Sequence, residues 1–126
     1  MGRQYLMDSN TVIDFLGDKL PPTTVAFLEN ITPIISVITR IEVLGWFNVL
    51  PEQITALSAY MEEVTILPLE ELVILKTIEL RQNYHIKTPD AIIAATALVQ
   101  NFTLISRNLS DFKNIDGLDT IDPYAI

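Results

Sequence analysis

Four acids stand where a folded chain could bring them together. Asp8 follows the short apolar run Tyr5-Leu6-Met7 and precedes the small polar residues Ser9, Asn10 and Thr11. Helical apolar spacing begins straight after, at Val12, Ile13 and Leu16. The segment therefore reads strand, acid, cap, helix, and it puts a carboxylate beside the positive end of a helix. The plainer role for Asp8, Ser9 or Asn10 is that of a helix cap alone. Glu42 follows a second apolar run, Ile34-Ile35-Ser36-Val37, and completes the pattern Thr39-x-x-Glu42, a capping box. Asp90 falls in the first turn of a helix announced by Thr88-Pro89, with Thr88 as cap and Pro89 at the first helical position. Asp111 lies in the loop Arg107–Phe112, after the apolar run Phe102–Ser106. In a right-handed parallel sheet these four positions share one edge, the edge at which open α/β sheets bind ligands. Carboxylates gathered that closely cannot all stay ionised without cations. Mg²⁺ or Mn²⁺, which prefer oxygen donors, answer that need and would support hydrolysis of a phosphodiester.

The elements that must hold these acids are legible in outline. Strands are expected at Tyr5–Met7, Ile34–Val37, Thr65–Leu67 and Phe102–Ser106, with a last one near Asp119–Ile121. A short helix capped by Thr23 or Thr24 should carry Val25, Phe27 and Leu28. Another should run from Thr39 through Val43, Leu44, Trp46 and Phe47 to Leu50, apolar around most of its surface. Part of that surface would then face a second subunit or a partner. Further helices are expected from Pro51, with Ile54, Leu57, Met61 and Val64 on one face, and from Glu70 to Tyr84. The segment Ala91–Val99 is almost entirely small and apolar and should pack deeply against the sheet. Glu70 and Glu71 read as solvated acids at a helix start. Alternating strands and helices with no break in composition give a single α/β domain spanning 1–126, with a mostly parallel sheet.

Composition limits the alternatives. At 126 residues and 49% hydrophobic, the chain is long and apolar enough for a core and is unlike a disordered segment. No apolar run approaches the ~20 residues of a membrane span, and the N-terminal run is too short for a signal peptide. The reading is a soluble cytoplasmic protein. There is no cysteine, so thiolate chemistry and disulfides are excluded. The single histidine, His85, sits in a polar linker and reads as an ordinary surface residue. No Gly-x-Ser-x-Gly elbow or glycine-rich phosphate loop is present. Asp8-Ser9-Asn10 resembles the Asp-x-Asp of haloacid-dehalogenase-type phosphatases, but Asn10 replaces the acid their chemistry needs. A net charge of −8 argues against nucleic-acid binding unless metal ions or a basic partner correct the local field.

Four segments together resemble the PIN-domain ribonucleases, most closely the VapC-type toxins of type II toxin–antitoxin pairs: Leu6–Asp14, Ile35–Val43, Pro89–Ala97 and Leu104–Phe112. The resemblance implies a three-layer α/β/α sandwich around a central, mostly parallel sheet of four to five strands. It implies a metal-dependent endoribonuclease that cuts tRNA, rRNA or mRNA, with Mg²⁺ or Mn²⁺ held by Asp8, Glu42, Asp90 and Asp111. Supporting polar roles fall to Asn10, Ser106 and Asn108. The expected partners are an RNA substrate, a cognate antitoxin and a second copy of the chain, the dimer forming through the helix around Trp46 and Phe47. Asp14 also fits the family pattern but lies too far along its helix from Asp8 and reads as structural. The alternative is a non-catalytic PIN-like or receiver-like binding domain.

Overall fold

Strict alternation along three short strands decides which side of the sheet each core residue serves. Leu6, Ile34 and Leu104 point into one apolar cluster, whereas their neighbours Met7, Ile35 and Ile105 point into the other. The computed structural model describes residues 2–46 and 48–126. Within them the strands are β1 (Tyr5–Met7), β2 (Ile34–Ser36), β3 (Thr65–Leu67), β4 (Thr103–Ile105) and β5 (Thr120–Ile121). They form one sheet of order β3-β2-β1-β4-β5, and every pair is parallel. Leu6 stands level with Ile34 on one side and with Leu104 on the other. The helices are α1 (Ser9–Leu16), α2 (Pro22–Glu29), α3 (Val37–Leu44), α4 (Pro51–Glu63), α5 (Glu71–Asn83), α6 (Thr88–Gln100) and α7 (Leu109–Phe112).

The two clusters make the three layers. Val73 and Leu80 of α5 and Ile92 to Ala97 of α6 cover one face of the sheet. Val12 of α1, Leu28 of α2, Val43 of α3 and Leu57 and Met61 of α4 cover the other. Seven consecutive residues of α6, Ala91 to Ala97, are buried, as its small apolar composition requires. Strand order reverses between β1 and β4. Sequence order runs outward from β1 to β3 on one side and from β4 to β5 on the other. That reversal opens a crevice at the carboxyl edge, between the ends of β1 and β4.

Local chemistry shifted several expected boundaries. Helix α3 begins at Val37, because the Ser36 hydroxyl at the end of β2 accepts the Ile38 N–H at 3.2 Å and caps it. Thr39 therefore lies inside the helix, fully buried, and the expected capping box does not form. Helix α3 also stops early. Gly45 caps its C-terminus, and a Cβ there would meet the Ile41 carbonyl oxygen at 2.7 Å, so glycine is required. Trp46 follows outside the helix, and the part of the expected apolar surface assigned to Phe47 lies outside the described residues. Helix α6 is capped by Lys87 rather than Thr88, through backbone alone. Asp111 is on a short helix, α7, rather than in an open loop. Among the described residues no helix is long and apolar enough to cross a membrane.

Candidate active site

Asp8 is the last residue before α1 and is 4% exposed. Its Oδ1 accepts the Thr11 N–H at 2.9 Å, so it does cap the helix. The Thr11 hydroxyl lies 2.7 Å from the same oxygen and 2.9 Å from the Ile105 carbonyl, and its one proton serves one of the two at a time. The backbone N–H of Asp8 donates to the Ile105 carbonyl at 3.3 Å, which fixes the carboxylate over the β1–β4 crevice. Capping and lining a cavity are thus both true of this residue. Burial pushes the Asp8 carboxyl above the ordinary aspartate range, against the hydroxyls of Ser106 and Thr11, the Thr11 N–H and the positive charge of Arg107.

Glu42 comes in the second turn of α3 and reaches across to α1, where Oε1 accepts the Ser9 hydroxyl at 2.6 Å. It has no part in capping. Asp90 lies in the first turn of α6. Burial raises its carboxyl too, and the charges of Asp111, Glu42 and Asp8, in that order, add to the rise, while Lys87 opposes it. Asp8, Glu42 and Asp111 are therefore all within electrostatic reach of Asp90. Asp8, Glu42 and Asp90 line one cavity of about 230 Å³, together with Ser9, Asn10, Trp46 and Asn108. Asp111 does not line it. It faces a neighbouring cavity with Asp90, which borders both. Ser106, fully buried, accepts the Asn108 N–H at 3.0 Å and so shapes the wall beside Asp8 from the end of β4.

Asp14 lies elsewhere in function. It is buried in the last half of α1, and its Oδ2 accepts from Arg107 at 3.0 Å and from the Tyr124 hydroxyl at 2.8 Å. That carboxylate is committed to holding the chain beyond β4 and the C-terminal segment, as a structural residue would be. Sequence reasoning missed Ser9, Thr11, Arg107 and Tyr124. Only Thr11 carried a local sign, its spacing of three from Asp8, which is the spacing of a cap and its donor.

The donor set suits a hard divalent cation: carboxylates and neutral oxygens, with no thiolate or imidazole in the cavity. Among the described residues no three acids or histidines stand close enough to enclose an ion on protein atoms alone. The cavity has the room for waters that a Mg²⁺-like ion retains, and its carboxylates already repel one another.

The chain matches the PIN domain over residues 5–118. It belongs to the PIN domain family. No curated protein matches it. Among solved structures, a toxin–antitoxin complex from Klebsiella pneumoniae contains a chain 31% identical to this PIN domain, aligned over 98% of this chain and 100% of that one with a TM-score of 0.78. VapBC-1 from nontypeable Haemophilus influenzae gives 27% identity, 94% and 96% coverage and a TM-score of 0.77. DNA-bound VapBC from Salmonella typhimurium shares the fold at a TM-score of 0.85 with 22% identity, over 96% of this chain and 98% of that one.

Proposed function

We propose that this PIN domain is a metal-dependent endoribonuclease and the toxin of a toxin–antitoxin pair, folded as a single domain over 1–126. One observation carries the reading. Asp8, Glu42 and Asp90 share a cavity at the carboxyl edge, and burial, with the charges of Asp111, Glu42 and Asp8 added, holds the Asp90 carboxyl above its ordinary range. Four mutually repelling acids destabilise the fold unless a cation joins them. Asp8 and Asp90 would hold Mg²⁺ or Mn²⁺ directly, since a strand end and a helix start fix their backbones. Glu42, tied to Ser9, would act through an intervening water or orient one, and Asp111 would complete the site from beyond Asp90. When bound, the ion supplies charge stabilisation and an activated water for phosphodiester hydrolysis. Asn10 and Asn108 line the same cavity and would orient the substrate, while Ser106 holds the wall behind Asp8.

The toxin part of the reading draws on the Klebsiella relative, which was solved in a toxin–antitoxin complex. This molecule offers matching surfaces. A cavity of about 300 Å³ between α1 and α4, lined by Ile13, Leu16, Trp46 and Leu57, would receive an apolar antitoxin segment. The antitoxin would also bring a basic residue towards the acids. Leu72, Leu75 and Ile78 of α5 and Leu69 just before it, each at least 44% exposed, offer an apolar surface suited to a second copy of the chain. Ile41, Trp46, Leu50 and Ile54 are exposed as well, so the surface expected around Trp46 is a second candidate for the homodimer contact.

The test is cleavage of total cellular RNA with Mg²⁺ or Mn²⁺, scored beside growth arrest on induction. Wild type should cut and EDTA should stop it; Asp90→Asn should be inert in both assays. An Asp90→Asn protein that cuts as fast as wild type places the activity elsewhere and defeats the reading.

A further inference from the structure

The acidic centre has a basic neighbour. A second cavity, of about 420 Å³, is walled by Arg81, Tyr84, His85 and Lys87 and closed on one side by Asp90 and Asp111. The chain has only eight lysines and arginines against sixteen acids, and one histidine. Two of the eight bases and that histidine line this single cavity. Its walls are held in place. The Arg81 Nε–H donates to the Ile86 carbonyl at 3.3 Å, which turns the outer guanidinium nitrogens away from the backbone. The Tyr84 hydroxyl accepts the Asp116 N–H at 3.2 Å, which fixes the ring beside the cavity. Lys87 caps α6 through its backbone alone, so its ammonium is not engaged by the helix it starts. These bases do not neutralise the acids through ion pairs. The salt bridges among the described residues are Lys76–Glu79 and Arg107–Asp14, and neither involves this cavity.

Cations placed beside carboxylates without pairing to them suit a ligand that is itself an anion. Asp90 borders both cavities, so a strand lying across the acidic cavity passes Asp90 into the basic one. We propose that the basic cavity seats a backbone phosphate of a single-stranded RNA next to the phosphodiester held at the acids, with Arg81 and Lys87 as its charged donors, His85 as a further donor and the Tyr84 ring as a stacking face. The proposal rests on the nuclease reading and names the binding subsite for its substrate. It also accounts for how a chain of net charge −8 takes hold of RNA: the attraction is local, confined to one cavity.

Binding and cleavage are measured separately. The binding arm uses full-length Asp8→Asn protein, unable to cut, and a short fluorescently labelled single-stranded RNA titrated over a range of salt with Mg²⁺ present. Adding Arg81→Ala and Lys87→Glu should weaken binding by at least about tenfold. Loss of two phosphate contacts should make the slope of log affinity against log salt shallower by about 1.4. Lys87→Glu alone, which leaves every recorded hydrogen bond in place, should show about half of that change in slope and keeps the test valid if the Arg81 variant misfolds. In the cleavage arm, Lys87→Glu on an otherwise wild-type chain should raise KM by a larger factor than it lowers kcat, since Lys87 also offsets the charge around Asp90. Affinity and salt slope unchanged in the Lys87→Glu variant overturn the subsite, as does absence of RNA binding by the Asp8→Asn parent. If wild type cuts no RNA while Lys87→Glu still weakens binding, the nuclease reading fails and the phosphate subsite stands.

Discussion

The two ends of α1 each bury an aspartate, and they treat it in opposite ways. Asp14, near the C-terminal end, is paired with Arg107 and bonded to the Tyr124 hydroxyl. Asp8, at the N-terminal end, has hydroxyl and N–H donors but no ion pair, and it shares its cavity with Glu42 and Asp90. A buried charge with a fixed partner is part of the scaffold. Asp8 is held at a cost, since burial raises its pKa against the donors around it, and a buried acid in a cavity without an ion pair is a candidate for a ligand from outside the chain. The same residue type, at the two ends of one helix, thus appears once with an ion pair and once without.

The comparison breaks most visibly in activity. Asp8→Asn should abolish RNA cleavage, because asparagine caps a helix as well as aspartate does but lacks the charge a hard cation needs. Its melting temperature without metal should stay level or rise. Asp14→Asn should instead keep measurable cleavage at low temperature. Glu42→Gln and Asp111→Asn should impair strongly but less completely than Asp8→Asn. Should Asp14→Asn prove inert while fully folded, the division between the two acids is wrong.

Stability should answer the other way. Asp14→Asn weakens the bonds from Arg107 and Tyr124 and should cost about 1–3 kcal/mol, a fall of several degrees in a thermal melt. The lower end of that range is expected because Arg107 is 45% exposed and solvent screens it. Tyr124→Phe, removing one of the two bonds, should cost less, about 1 kcal/mol.

Acid titration sharpens the contrast. Asp8 and Asp90 both have folded-state pKa values above the ordinary 3.8. Over the range between the unfolded and folded values, the folded state binds more protons, so stability falls as pH rises. The penalty is fully present above the raised values and disappears as pH drops below about 4. Denaturant melts of metal-free protein should show that slope, and Mn²⁺ or Mg²⁺ in the millimolar range should raise stability most at the higher pH. Asp8→Asn and Asp90→Asn should each flatten it. The smallest effect is reserved for Glu70→Gln and Glu71→Gln, exposed acids at the start of α5, which should leave cleavage and melting within error of wild type.

What the sequence could show follows the range of the forces involved. Asp8 was legible because strand end, cap and helix start are all local, and the parallel sheet then follows from alternating elements. Glu42 was expected in a first turn with a capping box as its plainer role, and it lies in the second turn of α3 bonded to Ser9. Ser36 and Thr39 both offer a hydroxyl for the cap, and only the end of β2 decides that Ser36 takes it. Asp111 was placed in a loop because a single helical turn leaves too little periodicity to see. Arg107 and Tyr124 meet Asp14 from 93 and 110 residues away, and no local pattern records such a contact. His85 read as an ordinary linker residue, and spacing along the chain does not reveal that α5 and α6 bring it to one cavity with Arg81, Lys87 and Asp90.

The central pairing of β1 with β4 also sets the order in which this molecule can come into being. The Thr11 hydroxyl rests on the Ile105 carbonyl, 94 residues further along, and Asp8 itself bonds to that carbonyl. During synthesis the N-terminal third emerges first and can pair β1 with β2, but the other side of β1 has no neighbour until the residues of β4 follow. Contacts so distant in sequence also form late in folding. The acid cavity is therefore absent from the growing polypeptide and appears only when nearly the whole chain has been made. Any activity that depends on this cavity would therefore be withheld, by topology alone, until the strands at its edge have met.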